Sequence, residues 1–365
     1  MKYNELFPTE FNSNPKLKNR FFNYYKTFFK EVGIKKKMRP LKYLSLFTGI
    51  GGFEVAIQSI FPNAECIGYS EIKKSAIEVY NNHFPGHKNL GNVTEITKEQ
   101  IQELVRREGC DLIVGGFPCT NLSSIARTSG NGQGLDGPKS GLFWTMIKII
   151  EWVVEINNNV DVLIENNGSM KNKWKEIITM QLNNIIPKSV IMNKCDGTNV
   201  SVQKRNRLYW TSFQIQLDAK IDLKLGDILE DSDILLSQNY IDSCINSIWK
   251  SSKNTTCEKI IRGDKYHKFE TITVNGGTTR VYNVNKSDNL YSKPITTSDR
   301  NNVIAHKQGN EYKIRYYTFN EIKLLFMFPV NYTENKSKSK HMDLFGNSVI
   351  VTVLQLVLNN LYQDS

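Results

Sequence analysis

Between Leu41 and Phe213 the chain alternates short apolar runs with amphipathic ones, and this rhythm constrains the fold more than any other feature. "LKYLSLF" reads as a strand, "TGIGG" as a glycine turn and "FEVAIQSIF" as a helix with one apolar face. "ECIGYSE", "DLIVGG" and "DVLIEN" repeat the strand pattern, with "IKKSAIEVYNNHF" and "GLFWTMIKIIEWVVEI" as helices between them. Strands joined through helices cross over and pair in parallel, whereas hairpins need tight turns. The expected fold is therefore α/β, a doubly wound, mostly parallel sheet. "KSVIMNKC" and "RNRLYWTSF" read as its late strands.

The flanks behave differently. In residues 1–40, "FFNYYKTFFKEV" suits an amphipathic helix and "GIKKKMRP" follows as a basic run. That arm either packs through its aromatics or touches nucleic acid. From about Gln214 the chain turns polar and irregular, with a hairpin expected at Asn275-Gly276-Gly277. "TFNEIKLLFMF" and "SVIVTVLQLVLNNLY" read as helices separated by the linker "ENKSKSKHMD". The expected division is a basic extension (1–40), a sheet domain (41–213), a smaller irregular domain (214–335) and a C-terminal helix returning to the sheet (336–365).

Lys and Arg outnumber Asp and Glu by 47 to 36, a formal charge of +11 that favours a polyanionic partner. Cys66, Cys110, Cys119, Cys195, Cys244 and Cys257 include no C-x-x-C pair, and the histidines lie far apart. Reduced thiols are expected, with no disulfide framework and no metal site. With no signal-peptide pattern and no transmembrane run read, the expected compartment is cytosolic or nucleoid-associated. A monomer is expected, with homo-oligomers left open.

Several residues stand where chemistry is done. "GGFPCTNLSS" places Cys119 at the carboxyl end of an apolar strand, where open α/β sheets hold ligands. The thiol is either an exposed nucleophile or a small buried filler. The glycine turn in "LSLFTGIGGFE" is either a tight turn or a backbone cradle for a ligand smaller than a dinucleotide. Glu71 lies 20 residues after Gly51, where an acidic side chain accepts both hydroxyls of a ribose, so an adenosine ligand is expected. Asn92, beside Val93, either accepts from an adenine amino group or closes a turn. Glu165 ends the strand "DVLIEN", as a desolvated proton donor or a turn carboxylate. Gln203, Arg205 and Arg207 alternate along "VQKRNRLYW", which would point all three to one face and at an anion or carboxylate.

As an ordered set, "LFTGIGGF", Ser70-Glu71, "GGFPCTNLS", "LIENN", "VQKRNR", "RYYTFNEIKLLFMFP" and "FGNSV" resemble the motifs of the C5-cytosine DNA methyltransferases. The resemblance spans residues 42–213 and 315–355. "TNLSSIA", the compact insert and "SKPITT" look closest to the branch containing the de novo eukaryotic-type enzymes. The resemblance implies a Rossmann-like S-adenosylmethionine (SAM) methyltransferase sheet with a target-recognition domain acting on double-stranded DNA. It implies Cys119 as the nucleophile at cytosine C6, Glu165 as the acid at N3, and Arg205 and Arg207 as the basic pair beside them. For SAM it implies Phe47, Thr48, Gly49, Gly51, Gly52, Glu71, Ile72, Asn92, Val93, Pro118, Asn347, Ser348 and Val349. Ser123, Gln203, Arg280 and Arg300 are the candidates for contacting the substrate, with base reading expected among residues 275–280 and 299–302. The Gly/Ser-rich stretch "TSGNGQGLDGPKSG" fits a loop closing over an extruded base.

Departures accompany the match. Thr120 stands where Gln or Asn is usual, Asn167 for Val, Asn92 for Asp, and Leu324 and Met327 for Arg and Gly. The last two put the packing of insert against catalytic domain in question. Two other readings are weighed: the tRNA-modifying branch of the same fold, and a catalytically silent nucleic-acid-binding partner. The polar insert of about 100 residues (214–314) argues against the first, and retention of Cys119, Glu165 and the glycine turn against the second.

Overall fold

A computed structural model describes residues 15–119, 121–122, 133–230, 271–274, 277–280, 284–286, 291–292, 294–295, 297, 303–308, 311–329, 332 and 338–362. Helix α1 (Pro15–Glu31) precedes the sheet. Then follow β1 (Leu41–Leu46), α2 (Gly52–Ile60), β2 (Ala64–Ser70), α3 (Lys74–His83), α4 (Lys98–Glu108) and β3 (Leu112–Gly115). After these come α5 (Leu142–Val154), β4 (Asp161–Asn167), α6 (Asn172–Ile185), β5 (Ile191–Asp196) and β6 (Asn206–Thr211).

The six strands lie in the order β2-β1-β3-β4-β6-β5. β1, β2, β3 and β4 pair in parallel, while β6 runs antiparallel to both β4 and β5. The sheet is apolar on both sides because helices cover both. Tyr43, Val114, Leu163 and Tyr209 point to one core with α1, α2 and α3, while Leu44, Ile113, Ile164 and Trp210 point to the other with α4, α5 and α6. The chain leaves β1 for β2 on one side and returns to β3 on the other. A crevice opens at that reversal, beyond the carboxyl ends of the strands.

In the insert, β7 (Thr271–Val274) and β8 (Gly277–Arg280) pair antiparallel with Val274 opposite Gly277, the register of a two-residue hairpin connection. β9 (Val284–Lys286), β10 (Val303–Gln308) and β11 (Glu311–Tyr316) form a second small sheet. Three helices close the chain: α7 (Phe319–Leu325), α8 (Lys338–Gly346) and α9 (Val351–Leu358). α7 starts from a capping box between Thr318 and Glu321. α9 packs on α2, where Gln355 Nε2 donates to Ser59 Oγ at 2.8 Å.

The two departures in α7 and its following turn are fully buried. Leu324 is core, and Met327 holds a left-handed backbone, φ 59°, in which glycine is the unstrained residue. Tyr25 of α1 donates its hydroxyl to the Met327 carbonyl, so the arm packs against this turn. Tyr24, Tyr25 and Phe28 are buried, and Lys37 donates to the carbonyls of Asn359 and Leu361 at the C-terminal end. Contrary to the sequence expectation, Lys340–Leu358 has the length and hydropathy of a membrane span. It bends between α8 and α9, and 78% of the apolar stretch is buried inside the fold.

Candidate active site

A cavity of about 520 Å³ fills the crevice, within the range of small-molecule sites. Four strand ends supply its walls. The turn after β1 is shaped by Phe47 at φ 56° and Gly49 at φ 60°, which leave its backbone open to the cavity. Gly52 cannot carry a side chain there, because a Cβ would sit 2.5 Å from Val349 Cγ2. Glu71, just past β2, organises this end of the site. Its Oε2 accepts from the Gly49 N–H at 2.9 Å, and its Oε1 accepts from the Ile72 and Lys73 N–H groups, each at 2.8 Å. Ile72 is exposed at the rim despite its apolar side chain. Asn92 lines the cavity and also closes a turn, accepting from the Thr94 N–H at 3.2 Å. The turn is the reading the structure shows.

At the other end, Gly116, Phe117, Pro118 and Cys119 follow β3 into the cavity, facing Glu165, Asn166 and Asn167 from β4. Glu165 is buried, and Arg207 Nε approaches its Oε1 at 2.8 Å. That contact is an ion pair without hydrogen-bond alignment, so Oε1 keeps an open bonding direction. Burial raises the Glu165 pKa, against the opposing pull of Arg207 and Arg205. Gly116 makes room for the carboxyl, since a Cβ there would lie 3.0 Å from Oε2.

Arg205 plays a different part from its neighbour. Its guanidinium donates to the Ile295 carbonyl at 3.1 Å and to the carbonyls of Gly346 and Ser348 at 2.9 and 2.7 Å. Burial, then repulsion from Arg207, lowers its pKa to about 9. Arg205 thereby ties the insert and the Asn347-Ser348-Val349 turn to the catalytic sheet.

The structure brings together Phe47, Thr48, Gly49, Gly52, Glu71, Ile72, Asn92, Val93, Pro118, Cys119, Glu165, Arg205, Arg207, Asn347, Ser348 and Val349 on one cavity. Gly51 lies just behind it, where a Cβ would meet Phe84 and Tyr332. Gln203 corrects the sequence reading. Its fully buried amide donates to the Leu325 carbonyl at 3.1 Å and accepts from the Ile295 N–H at 3.1 Å, so it packs the insert and does not face the cavity. The alternation failed because β6 begins only at Asn206. Ser123 and Arg300 lie outside the described residues, and of Arg280 only its place in β8 is described.

Sequence reasoning missed several residues. Asn166 Nδ2 donates to the Phe117 carbonyl at 2.9 Å, holding the Cys119 segment against β4. Lys73 pairs with Asp343 across the cavity rim. The doubled asparagine in "LIENN" was a visible signal for the first, whereas nothing local marks the second.

A family model described as C-5 cytosine-specific DNA methylase matches residues 41–363. The chain belongs to this family. Type II methyltransferase M.HhaI from Haemophilus parahaemolyticus is 26% identical over 339 residues, covering 89% of this chain and 95% of that protein. Type II methyltransferase M.NlaX from Neisseria lactamica is 24% identical, covering 87% and 94%. Among solved structures, a mutant of Spodoptera frugiperda DNMT2 superposes with a TM-score of 0.62 at 20% identity, covering 88% of this chain and all of that one. None of these three names carries the de novo eukaryotic-type branch suggested by "TNLSSIA". The methyltransferase sheet expected from the sequence is the fold observed, and cytosine C5 methylation is the chemistry of the family.

Proposed function

We propose that this family member is a SAM-dependent DNA (cytosine-5)-methyltransferase. The observation that carries the reading is the single cavity holding Cys119 and Glu165 at one end and the Glu71-braced glycine turn at the other. The donor set suits SAM: open backbone after β1, a carboxylate for a ribose diol, and an apolar rim at Ile72. SAM would supply an electrophilic methyl group when bound, and Phe47, Thr48, Gly49, Gly52, Glu71, Ile72, Asn92, Val93, Pro118, Asn347, Ser348 and Val349 would hold it.

The chain's own residues do the rest. Cytosine C5 is a weak nucleophile, so Cys119 Sγ adds to C6 and the ring becomes an enamine with electron density at C5. Glu165, whose pKa burial raises, donates a proton to N3 as that density moves. Arg207 holds the carboxyl in place, and Arg205 holds the wall behind it. After methylation the C5 proton passes to solvent, its electron pair restores the C5–C6 double bond as the Cys119–C6 bond breaks and the thiolate leaves, and N3 returns its proton to the Glu165 carboxylate. A stacked base is out of reach of Cys119, so the cytosine enters flipped out.

Sequence choice falls to the irregular domain within 214–335, with Arg280 and Arg300 as candidate guanine readers and Ser123 as a further candidate for contacting the substrate. The net charge of +11 suits double-stranded DNA in the cytoplasm or nucleoid, with the protein acting as a monomer. The type II names of the relatives suggest a restriction–modification setting.

The test is methyl incorporation from labelled SAM into duplex DNA and total tRNA side by side. DNA is labelled, bisulfite sequencing finds methylation at a fixed motif, and Cys119→Ser removes it while SAM binding stays within twofold. Preferential labelling of tRNA would overturn the substrate, and Cys119→Ser activity within tenfold of wild type would overturn the nucleophile.

A further inference from the structure

Two buried polar residues outside the cavity lining, one on either side of residues 123–132 in the chain, hold the Cys119 segment. Asn121 is 8% exposed and Ser140 not at all. They grip each other reciprocally: the Asn121 N–H donates to Ser140 Oγ at 3.2 Å, and the Ser140 N–H donates to Asn121 Oδ1 at 3.3 Å. The Ser140 hydroxyl gives its own hydrogen to the Pro118 carbonyl at 3.1 Å. The Gly134 N–H donates to the Asn121 carbonyl at 3.1 Å, so both backbone groups of Asn121 are engaged by the segment that leads into α5. That segment folds tightly around the amide. A Cβ on Gly137 would fall 2.4 Å from Asn121 Cγ, and the Gly141 N–H donates back to the Gly137 carbonyl at 2.7 Å.

The consequence reaches the thiol. Asn166 pins the Phe117 carbonyl from β4, and Ser140 pins the Pro118 carbonyl from the α5 side. The Cys119 carbonyl accepts from the Leu122 N–H at 2.9 Å. With both preceding peptides fixed, the Cys119 Cα has its place set from two elements, and only rotation about χ1 remains for Sγ.

We infer that Ser140 and Asn121 are positioning residues for the Cys119 nucleophile, holding its backbone at the attack position. The inference rests on the reading of Cys119 as the nucleophile. Ser140→Ala removes one oxygen from a buried site, and with it the hydrogen bonds to the Pro118 carbonyl and from the Asn121 N–H. A displacement of about 1 Å at a reacting atom can cost about a hundredfold in rate.

The experiment uses the full chain with SAM and DNA carrying 5-fluorocytosine throughout. Fluorine at C5 blocks the final elimination, so each attack that goes on to methyl transfer leaves a covalent Cys119–C6 product visible on a denaturing gel. Ser140→Ala is expected to slow adduct formation at saturating DNA by about 10- to 100-fold. The KM for unmodified DNA and the affinity for SAM stay within twofold, and Ser140→Thr, which keeps the hydroxyl, restores the rate. Asn121→Ala serves if Ser140→Ala does not fold, and Asn121→Asp, which keeps the acceptor for the Ser140 N–H, is expected to lie between Asn121→Ala and wild type. Adduct formation at the wild-type rate in Ser140→Ala, or in Asn121→Ala where the serine variant is unusable, overturns the inference. So does a fall shared equally by adduct rate, SAM affinity and melting temperature, the mark of a fold staple alone. If wild type forms no adduct while Cys119→Ser still methylates, the nucleophile reading itself has failed, and this inference with it.

Discussion

Glu165 shows how one carboxyl can be pulled two ways. Burial favours the neutral acid, while Arg207 at 2.8 Å favours the anion, and burial is the larger effect. Raising the pKa keeps more of the carboxyl in its acid form at a given pH, and so better able to give a proton to a base. Glu165→Gln keeps the shape but has no acidic proton, and its kcat is expected to fall by about 10²–10⁴-fold, the usual size of general acid catalysis. Wild-type kcat should decline as pH rises through the raised pKa of Glu165, and that alkaline limb should vanish from the residual activity of Glu165→Gln. Single-turnover rates from pH 5 to 9 check both outcomes. A limb of the same position in the variant would assign the titration elsewhere. Arg207→Lys breaks the planar contact to Oε1 without removing the charge, so it separates positioning from neutralisation at the same atom.

At the level of elements, the decisive contact is where the turn opening α2 meets the turn between α8 and α9. Gly52 and Val349 come from chain segments about 300 residues apart, and the glycine is what allows them to touch. Gly52→Ala puts a methyl 2.5 Å from Val349 Cγ2, so one of the two turns must retreat from the cavity. The expected result is at least a tenfold loss of SAM affinity by calorimetry with little change in the far-ultraviolet circular dichroism; unchanged affinity would show that the two turns yield without harm. This pair also marks how far sequence reading reaches. Apolar runs such as "LSLF" and "DLIV" must be buried on both faces, so the strands, their parallel pairing and the ligand end of the sheet were legible. So were the glycine turn, Glu71, Cys119 and Glu165, because each sits at a strand end. Gln203 misled, since strand alternation was extended into residues that precede β6. The Asn121–Ser140 clasp, the Arg205 carbonyl contacts and Lys37 at the C-terminal end were illegible for one reason. Each is a small or solvated-looking polar residue whose partner is chosen only by the tertiary fold.

For the whole molecule, the same burial that tunes the site leaves a stability that depends on pH. Glu54, in the first turn of α2, is fully buried, and neither carboxyl oxygen has a hydrogen-bond partner of good geometry. The Tyr43 hydroxyl is likewise buried without a partner. Desolvation pushes the Glu54 pKa up to about 7 from 4.5, only partly offset by Ser45, its own backbone and Tyr80. The folded state therefore keeps a proton that the unfolded chain releases between pH 4.5 and 7. Through that window the unfolded state binds fewer protons, so Glu54's contribution to stability is whole below pH 4.5 and is lost as pH rises through 7. The difference in pKa corresponds to about 3 kcal/mol. The histidines act in the opposite sense. Burial lowers His83 to about 4 and His341 to about 3, so they stay neutral in the fold and add stability as pH rises toward the ordinary imidazole range. The raw pH profile of the wild type mixes both effects, and a substitution separates them. Glu54→Gln mimics the protonated acid at every pH and leaves the histidines untouched. Urea unfolding from pH 4 to 8.5 should give nearly equal stabilities for the two proteins at the acid end. Above pH 7 the variant should be the more stable by about 3 kcal/mol, the gap opening between pH 4.5 and 7. Parallel profiles with no gap would mean that Glu54 titrates normally and that its carboxylate finds a partner inside the fold.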